Sequence, residues 1–360
     1  MASSIKGLFG KLSLGGGESA RENGFSRAGR DQLFPQTDPA VDGDGCLHDC
    51  ESCTIKYPRR FTIDTSDQIY GNIKGWETHL IVATGKTDWV RDVADEKGSI
   101  MEAVDRSRVQ PTNGKLKLSA SDMPLPHELH STSVSTSQSQ RPPTTVLLLP
   151  AFVLVDNVVP ANVPDLIATY VNACPTNTSP LPASPPLTRT TSRSPPAPAS
   201  PPSLPPSLST PQLTSRPCPH AALILLCSHK TRDARCGQSA PLLRREFERH
   251  LRPLGLARDL HDERAGGVGI YFINHVGGHK YSANVLLYRR AGAFGDGGPP
   301  TKAADGGEKP NEAMQCIWLA RVRPEDCENI VRYTILKGKV VKPDRQLRGG
   351  FDRCKQLVSW

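Results

Sequence analysis

Two stretches of the chain carry short apolar runs that end in polar turns, a pattern typical of buried strands packed against helices. The first predicts two strands and then a helix, at His79–Ala83, Val146–Leu149 and Val163–Val171. The second predicts, in order, a strand at Ala222–Leu226, a helix at Ala240–Leu251, strands at Gly269–Ile273, Ala283–Tyr288 and Ile317–Val322, and a helix after Pro324. Strands that alternate with helices indicate an α/β fold.

The two stretches share a faint internal repeat. In each, a strand runs into a polar loop, and a later strand precedes a helix that opens near a proline and has an acid in its first turn. The long helix of the second stretch is expected to begin with Ser239 as N-cap and Pro241 in its first turn. The order of elements there is compatible with a thioredoxin-like fold. We therefore expect an α/β fold of two tandem thioredoxin-like domains.

Composition places the boundaries of these domains. Residues 175–219 hold 15 of the 33 prolines, mixed with Ser and Thr, and too few apolar residues to offset the entropy of ordering. This run predicts a disordered linker, either a true linker or retained intron sequence. The expected organisation is a flexible arm (1–40), an N-terminal domain (41–174) with a polar loop at about 119–143, the linker, and a C-terminal domain (220–360).

Charge and hydropathy exclude several classes of protein. No apolar run approaches the roughly 20 residues of a membrane helix, so no membrane span is expected. The net charge of +8 is mild for 360 residues and does not indicate a nucleic-acid partner. Ten cysteines without a secretory signal favour a reducing compartment, and metal or redox chemistry over disulfides. We expect a cytoplasmic protein; the alternative is mitochondrial, since the first 17 residues carry two lysines and no acid.

Four residues of the second stretch form a candidate metal site. Cys227 follows an apolar strand, Cys236 lies just before the expected helix, and His275 and His279 flank a loop that contains two glycines. Two thiolates and two imidazoles suit either zinc or an iron–sulfur cluster. The gap of nine residues between the cysteines is wide for a zinc knuckle. Rieske proteins interleave Cys and His, whereas here both cysteines precede both histidines.

Four segments resemble the fungal sucrase/ferredoxin-like family. They are Cys-Ser-His-Lys-Thr-Arg-Asp-Ala-Arg-Cys (227–236), His-Val-Gly-Gly-His-Lys-Tyr-Ser-Ala-Asn (275–284), Trp-Leu-Ala-Arg-Val-Arg-Pro-Glu-Asp (318–326) and Ala-Thr-Gly-Lys-Thr-Asp-Trp-Val-Arg-Asp (83–92). The resemblance implies a thioredoxin-like ferredoxin whose 2Fe–2S cluster is held by Cys227, Cys236, His275 and His279. The implied function is electron transfer, which a titrating His ligand could couple to protonation. Despite the family name, no carboxylate pair of a glycosidase is evident.

Two alternative functions use the same fold. A zinc-binding interaction module would keep the four ligands without redox activity. A thiol-disulfide redox protein would need a Cys-x-x-Cys pair at the start of a helix, and the only such pair, Cys50 and Cys53, precedes the first predicted strand.

The first stretch has a second group of cysteines, Cys46, Cys50 and Cys53. Their spacing matches the 4Fe–4S motif of radical S-adenosylmethionine enzymes, but the strands and helices of the barrel that such enzymes need are not predicted. A second metal site, with His48 as a further ligand, is one hypothesis; free or redox-active thiols are the other.

The last residues, Val358-Ser359-Trp360, resemble the terminal peptide by which some iron–sulfur proteins dock on the targeting complex of the cytosolic assembly machinery. This resemblance suggests that complex as a partner, reached through Trp360. The alternative is that Trp360 packs back on the domain.

Overall fold

The computed structural model describes residues 24–126, 142–181, 211–294 and 311–360. Within them, thirteen strands join in one mixed sheet with helices around it. The strands are β1 (Ser26–Arg27), β2 (Thr78–Ala83), β3 (Leu116–Ser121), β4 (Thr144–Leu149), β5 (Val153–Val158), β6 (Thr214–Pro217), β7 (Ala222–Cys227), β8 (Ala257–Arg258), β9 (Val268–Ile273), β10 (Val285–Arg290), β11 (Ala313–Leu319), β12 (Leu347–Asp352) and β13 (Leu357–Val358).

One helix is long and the others are short. The α-helices are α1 (Arg30–Leu33), α2 (Pro39–Asp42), α3 (Ile100–Asp105), α4 (Val163–Asp165), α5 (Ala234–Leu251), α6 (Cys327–Asn329) and α7 (Pro343–Gln346). Helices α4 and α6 each follow a 3-10 turn that contains a proline and continue as π-helices, at Leu166–Val171 and Ile330–Ile335. The helix predicted at Val163–Val171 and the helix predicted after Pro324 are therefore both present. No described helix is both long and apolar enough to cross a bilayer.

The pairing of strands repeats along the chain. Strand β2 is parallel to β3 and antiparallel to β4, which pairs with β5. In the same way, β7 is parallel to β9 and antiparallel to β10, which pairs with β11. Helix α3 lies between β2 and β3 in sequence, and α5 lies between β7 and β9. The two sets meet edge to edge, because β3 pairs with β9, and the sheet is continuous across them.

Both faces of the sheet are covered, which explains why its central strands are apolar throughout. Along β2, Leu80 and Val82 belong to one buried cluster, whereas Ile81 and Ala83 belong to the cluster on the other face. This alternation follows from the two-residue period of a strand.

The end of the predicted flexible arm is ordered, which corrects the sequence-based expectation for residues 24–40. Strand β1 pairs in parallel with β13, and Phe25, Leu33 and Phe34 are buried. The packing of this segment could not be predicted from the sequence, because a strand of two residues is too short to show a periodic pattern. Residues 1–23 lie outside the described residues.

The ends of the predicted linker and loop are ordered as well. At the linker, β6 pairs with β5, and the buried Asn177 side chain donates to the carbonyl of Trp76 over 2.9 Å. Residues 119–121 belong to β3 rather than to a polar surface loop, because Ser119 and Ser121 are buried with partners for their hydroxyls. The remaining parts of these predictions, 127–141 and 182–210, lie outside the described residues, and the domain boundaries stay a prediction.

Helix α5 begins earlier than the sequence predicted. Its N-cap is Asp233 and not Ser239, and Pro241 is its eighth residue. Proline costs a helix one N–H donor, and here the turn before it is retained because its residues pack tightly. A Cβ on Gly237 would lie 2.6 Å from the Cβ of Lys230, so the first turn of α5 closely contacts the preceding loop.

Candidate metal centre

Cys227 and Cys236 converge where β7 leads into α5. Cys227 is the last residue of β7, and Cys236 lies in the first turn of α5, inside the helix and not before it as predicted. Both side chains are buried, and their Sγ atoms are 3.3 Å apart. A disulfide has an S–S length of about 2.05 Å, so this pair is a dithiol.

The Sγ atoms of Cys227 and Cys236 are joined by one hydrogen bond. When Cys227 is ionised, its thiolate accepts from the S–H of Cys236. This hydrogen bond lowers the pKa of Cys227 well below its ordinary value and raises that of Cys236, with burial acting further on Cys236. Cys227 is therefore the sulfur that is poised to be a thiolate, the form that binds metals and attacks as a nucleophile.

His275 approaches the thiols from the loop after β9. Its Nδ1 lies 3.9 Å from the Sγ of Cys227, and the side chain is half-buried. The donor atoms of Cys227, Cys236 and His275 all lie within 4.8 Å of one another. The backbone of His279 begins a 3-10 turn, His279–Tyr281, but its side chain lies outside what the structure describes. Three of the four predicted ligands are thus brought together.

The loop that carries His275 rests on a buried guanidinium. Arg348 of β12 donates to the carbonyls of Gly277 (3.0 Å) and Asn72 (3.0 Å) and to Oδ1 of Asn284 (2.7 Å). Its guanidinium also lies 4.5 Å from the ring centroid of Trp318. Burial lowers the pKa of Arg348 to about 10, so the group stays charged at neutral pH. A positive charge therefore lies under the candidate site.

The other side of the site is covered by the loop that follows β2. Ser228 donates to the carbonyl of Thr87 (2.8 Å), and Thr231 donates its N–H and hydroxyl to Asp88. The buried His229 ring links the two loops, since its Nδ1 accepts from the N–H of His275 (3.2 Å) and its Nε2 lies 2.9 Å from the carbonyl of Trp89. Because a carbonyl only accepts, Nε2 carries the ring proton. The first half of the chain thus helps to build the site.

The sucrase/ferredoxin-like family model matches residues 69–349, well over half of the chain. The chain belongs to this family. No solved structure matches it.

Individual relatives of this sucrase/ferredoxin-like protein come from yeasts. Actin patches distal protein 1 of Saccharomyces cerevisiae is 39% identical over 140 residues, 39% of this chain and 36% of the relative. Altered inheritance of mitochondria protein 32 is 35% identical over 123 residues in Clavispora lusitaniae, 34% of this chain and 33% of the relative. The same protein of Meyerozyma guilliermondii is 32% identical over 120 residues, 33% of this chain and 32% of the relative. Each match therefore spans about a third of the relative.

The second predicted site is only partly assembled in this sucrase/ferredoxin-like protein. Cys46 is buried in a 3-10 turn, and no described metal-ligating group includes it. Cys53 donates to the carbonyl of Ile55 (3.4 Å), and burial raises its pKa to about 11. Cys50 instead lies beside His250, 3.9 Å from its Nε2. His48 is exposed.

Trp360 packs on the sheet. Its ring stacks on that of Trp76 with centroids 4.7 Å apart, and it meets Phe351 edge-on. The ring lies so close to the backbone that a Cβ on Gly75 would come within 2.3 Å of it. Docking through Trp360 stays a prediction, and it would require this stack to open.

Sequence reasoning missed the residues that hold the ligands in place. Arg348 has no spacing in the sequence that relates it to the cysteines. Asn284 ends the segment at 275–284, but its role as a partner of Arg348 is visible only in the structure. The segment at 83–92 did carry a signal, since it was among the four that indicated the family, but its role as a cover for the site became visible only in the structure.

Proposed function

We propose that this protein is an electron carrier with a 2Fe–2S cluster held by Cys227, Cys236, His275 and His279. The observation that carries the proposal is the convergence of two buried thiols and an imidazole nitrogen within 4.8 Å. Thiolates with imidazoles are a ligand set that iron–sulfur clusters use. The family description, sucrase/ferredoxin-like, is in accord with this assignment.

We also infer that the repeated strand order reflects two thioredoxin-like units. Each unit has a strand, a helix, a parallel strand, an antiparallel pair and a final helix. In the unit with the site, the cysteines lie where β7 ends and α5 starts. This is the end of a parallel sheet at which α/β folds present functional groups.

The donor set fits the cluster chemically. Cys227 has a lowered pKa and is prepared to ligate as a thiolate. When bound, the cluster would accept and release one electron. The charge of Arg348 under the site would favour the reduced, more negative state, and the loop at 83–92 would limit access of water.

A second candidate function is thiol-disulfide exchange, which the 3.3 Å separation of the two sulfurs favours. One low-pKa and one high-pKa thiol resemble the attacking and resolving cysteines of such proteins. This function would need no metal.

Absorption and metal analysis of the anaerobically purified full chain decides between these functions. We expect a red-brown protein with about two irons and about two sulfides per chain. Cys227→Ser should lose both, whereas Cys174→Ser, a half-buried cysteine outside the site, should keep both. A colourless wild-type chain that reduces disulfides would support the second function and overturn the first.

A further inference from the structure

A second set of ligating side chains meets around one nitrogen of Arg249. This nitrogen, Nη2, lies 3.2 Å from Cys50 Sγ, 2.5 Å from Glu246 Oε1 and 3.1 Å from His250 Nε2. A thiol, a carboxylate and an imidazole thus point at a single positively charged group. We propose that this point is a zinc site, formed by Cys50, His250 and Glu328, whose donor atoms lie within 4.8 Å of one another, with Glu246 as the fourth ligand.

The distances between the donors suit one metal ion. In a tetrahedral zinc site, Zn–S and Zn–N lengths of about 2.3 and 2.0 Å place sulfur and nitrogen about 3.5 Å apart. Here Cys50 Sγ and His250 Nε2 are 3.9 Å apart, and His250 Nε2 and Glu246 Oε1 are 3.2 Å apart. A carboxylate oxygen of Glu328 lies within 4.8 Å of the Cys50 and His250 atoms. Zinc binding would require Arg249 to withdraw and Glu328 to turn from its ion pair with Arg332 (3.5 Å).

Burial of Glu246 is the independent observation that points to a cation. Its side chain is 1% exposed, and its Oε2 has no hydrogen-bond partner in the described part of the chain. An ionised carboxylate is costly to bury without full compensation. Arg249 and His250 both contact Oε1, and the Cys53 thiol also stabilises the carboxylate and helps to lower the pKa of Glu246. Oε2 is left as a buried acceptor that a metal could bind.

Arg249 is able to leave the site. Its side chain is 41% exposed, although the groups it contacts are buried or half-buried. A long side chain at the surface can turn into solvent at little cost. We therefore interpret Arg249 as a cation that occupies the position of the metal, so that zinc binding and Arg249 compete.

Zinc is the metal that these ligands favour. One thiolate, one imidazole and carboxylate oxygens match the borderline-soft preference of Zn²⁺, whereas calcium and magnesium take oxygen ligands only. The ligands come from the segment before β2, from α5 and from α6. A bound zinc would therefore fasten the Cys50 segment to the helices. With four protein ligands its coordination would be complete, as in structural zinc sites.

Zinc binding at this site is tested with the full chain carrying Cys227→Ser and Cys236→Ser. These substitutions prevent metal bound by Cys227 and Cys236 from contributing to the measured signal. After removal of metals, Co²⁺ is titrated as a spectroscopic substitute and then displaced by Zn²⁺. We expect about one Co²⁺ per chain, with a thiolate charge-transfer band and the visible bands of tetrahedral cobalt. Cys50→Ser should lose the charge-transfer band, and Cys46→Ser, a buried cysteine that is not a ligand, should keep it.

Arg249→Gln tests the competition. If the guanidinium occupies the site about nine-tenths of the time, its removal should tighten Co²⁺ binding about tenfold. Because Arg249 compensates the buried charge of Glu246, the metal-free variant should unfold at a lower urea concentration than its parent, and added Zn²⁺ should raise that concentration again. Arg249→Gln chains that bind no stoichiometric Co²⁺, or bands that persist in Cys50→Ser and in His250→Gln, would overturn the proposal.

The experiments distinguish failure of the proposed zinc site from failure of the proposed cluster site. In a chain with Cys227 and Cys236 intact, Cys50→Ser should leave the iron and sulfide content unchanged. Loss of iron in Cys227→Ser should in turn leave the cobalt site unchanged.

Discussion

Gly277 and Gly278, in the loop between His275 and His279, are required for different structural reasons. Both have positive φ, +87° at Gly277 and +66° at Gly278. A Cβ on Gly277 would meet nothing within 4 Å, whereas a Cβ on Gly278 would lie 2.6 Å from the guanidinium of Arg348. Gly277 therefore supplies only backbone freedom, and Gly278 also lets the loop approach the buried charge.

Alanine at these two positions should separate the two effects. Gly277→Ala should lower the free energy of unfolding by about 1 kcal/mol, the cost of a left-handed residue that has a Cβ. Gly278→Ala should cost at least about twice as much, because Arg348 must move and its hydrogen bonds to the loop weaken. Urea unfolding measures both, and iron analysis should show a larger loss for Gly278→Ala. Equal effects would mean that the contact with Arg348 is unimportant.

We expect His220 to make the free energy of unfolding depend on pH. It is 3% exposed, its Nε2 lies 2.8 Å from the hydroxyl of Tyr271, and burial lowers its pKa to about 4. As pH falls from 6.5 to 4, the unfolded chain takes up a proton that the folded chain does not. The free energy of unfolding should therefore fall by up to about 3 kcal/mol over this range.

The variant His220→Gln should remove this dependence. Glutamine can still hydrogen-bond to Tyr271 but does not titrate, so its urea midpoint should fall less between pH 6.5 and 4. His79, which is also buried with a lowered pKa, contributes equally to both chains and cancels in the comparison. The same fall in both proteins would assign the acid sensitivity to other groups.

At the residue scale, sequence reasoning found ligands but not their supports. Cys227, Cys236 and His275 were predicted because thiols and imidazoles near glycines and strand ends are few and chemically distinctive. Arg348 is one of many basic residues, and only the pairing of β12 with β11 places it under the histidine loop. A group whose role depends on a contact between distant segments leaves no local pattern.

At the element scale, the central strands and the π-helical segments were predictable because their apolar runs are long enough to show a pattern. The start of α5 was not. Ser239 and Pro241 are typical of a helix beginning, and they outweighed Asp233, whose side chain accepts a hydrogen bond from the N–H of Arg235 and caps the real first turn. Tertiary packing stabilises α5 despite the proline inside it, and this packing cannot be predicted from local helix propensity.

The cap at Asp233 should matter for the metal centre as well as for the helix. Asp233→Ala removes the acceptor for the N–H of Arg235 (2.9 Å) and should cost about 1 kcal/mol. Because Cys236 lies in the same first turn, fraying should also increase the rate of alkylation of its thiol in the metal-free chain. Asp233→Asn keeps a capping oxygen and serves as the control. Unchanged alkylation in Asp233→Ala would show that packing alone holds this turn.

At the scale of the whole molecule, the halves are joined by a buried charge pair as well as by the sheet. Where β3 meets β9, Asp122 accepts from the N–H of Phe272 (2.7 Å) and from Arg244 (2.9 Å). Arg244 also donates to the carbonyl of Ile270 and lies over the Phe272 ring. Arg244 is one of several arginines along α5, and the helix turns this one towards the junction.

Removal of both partners of this pair should cost less than the sum of the two single removals. Asp122→Ala leaves the guanidinium of Arg244 buried without its counter-charge and should cost about 3 to 5 kcal/mol. Adding Arg244→Met removes that uncompensated charge, so the double variant should be more stable than the sum of the single effects predicts, by about 1 kcal/mol or more. Urea unfolding of the wild type, the two single variants and the double variant, followed by fluorescence and by circular dichroism, gives the coupling.

The same curves test whether the halves unfold together. Because the sheet runs through both halves, both probes should report one transition in the wild type, and Asp122→Ala is the variant in which the two transitions should separate. Additive effects, with coincident transitions in every variant, would show that backbone pairing and apolar packing join the halves and that this charge pair does not.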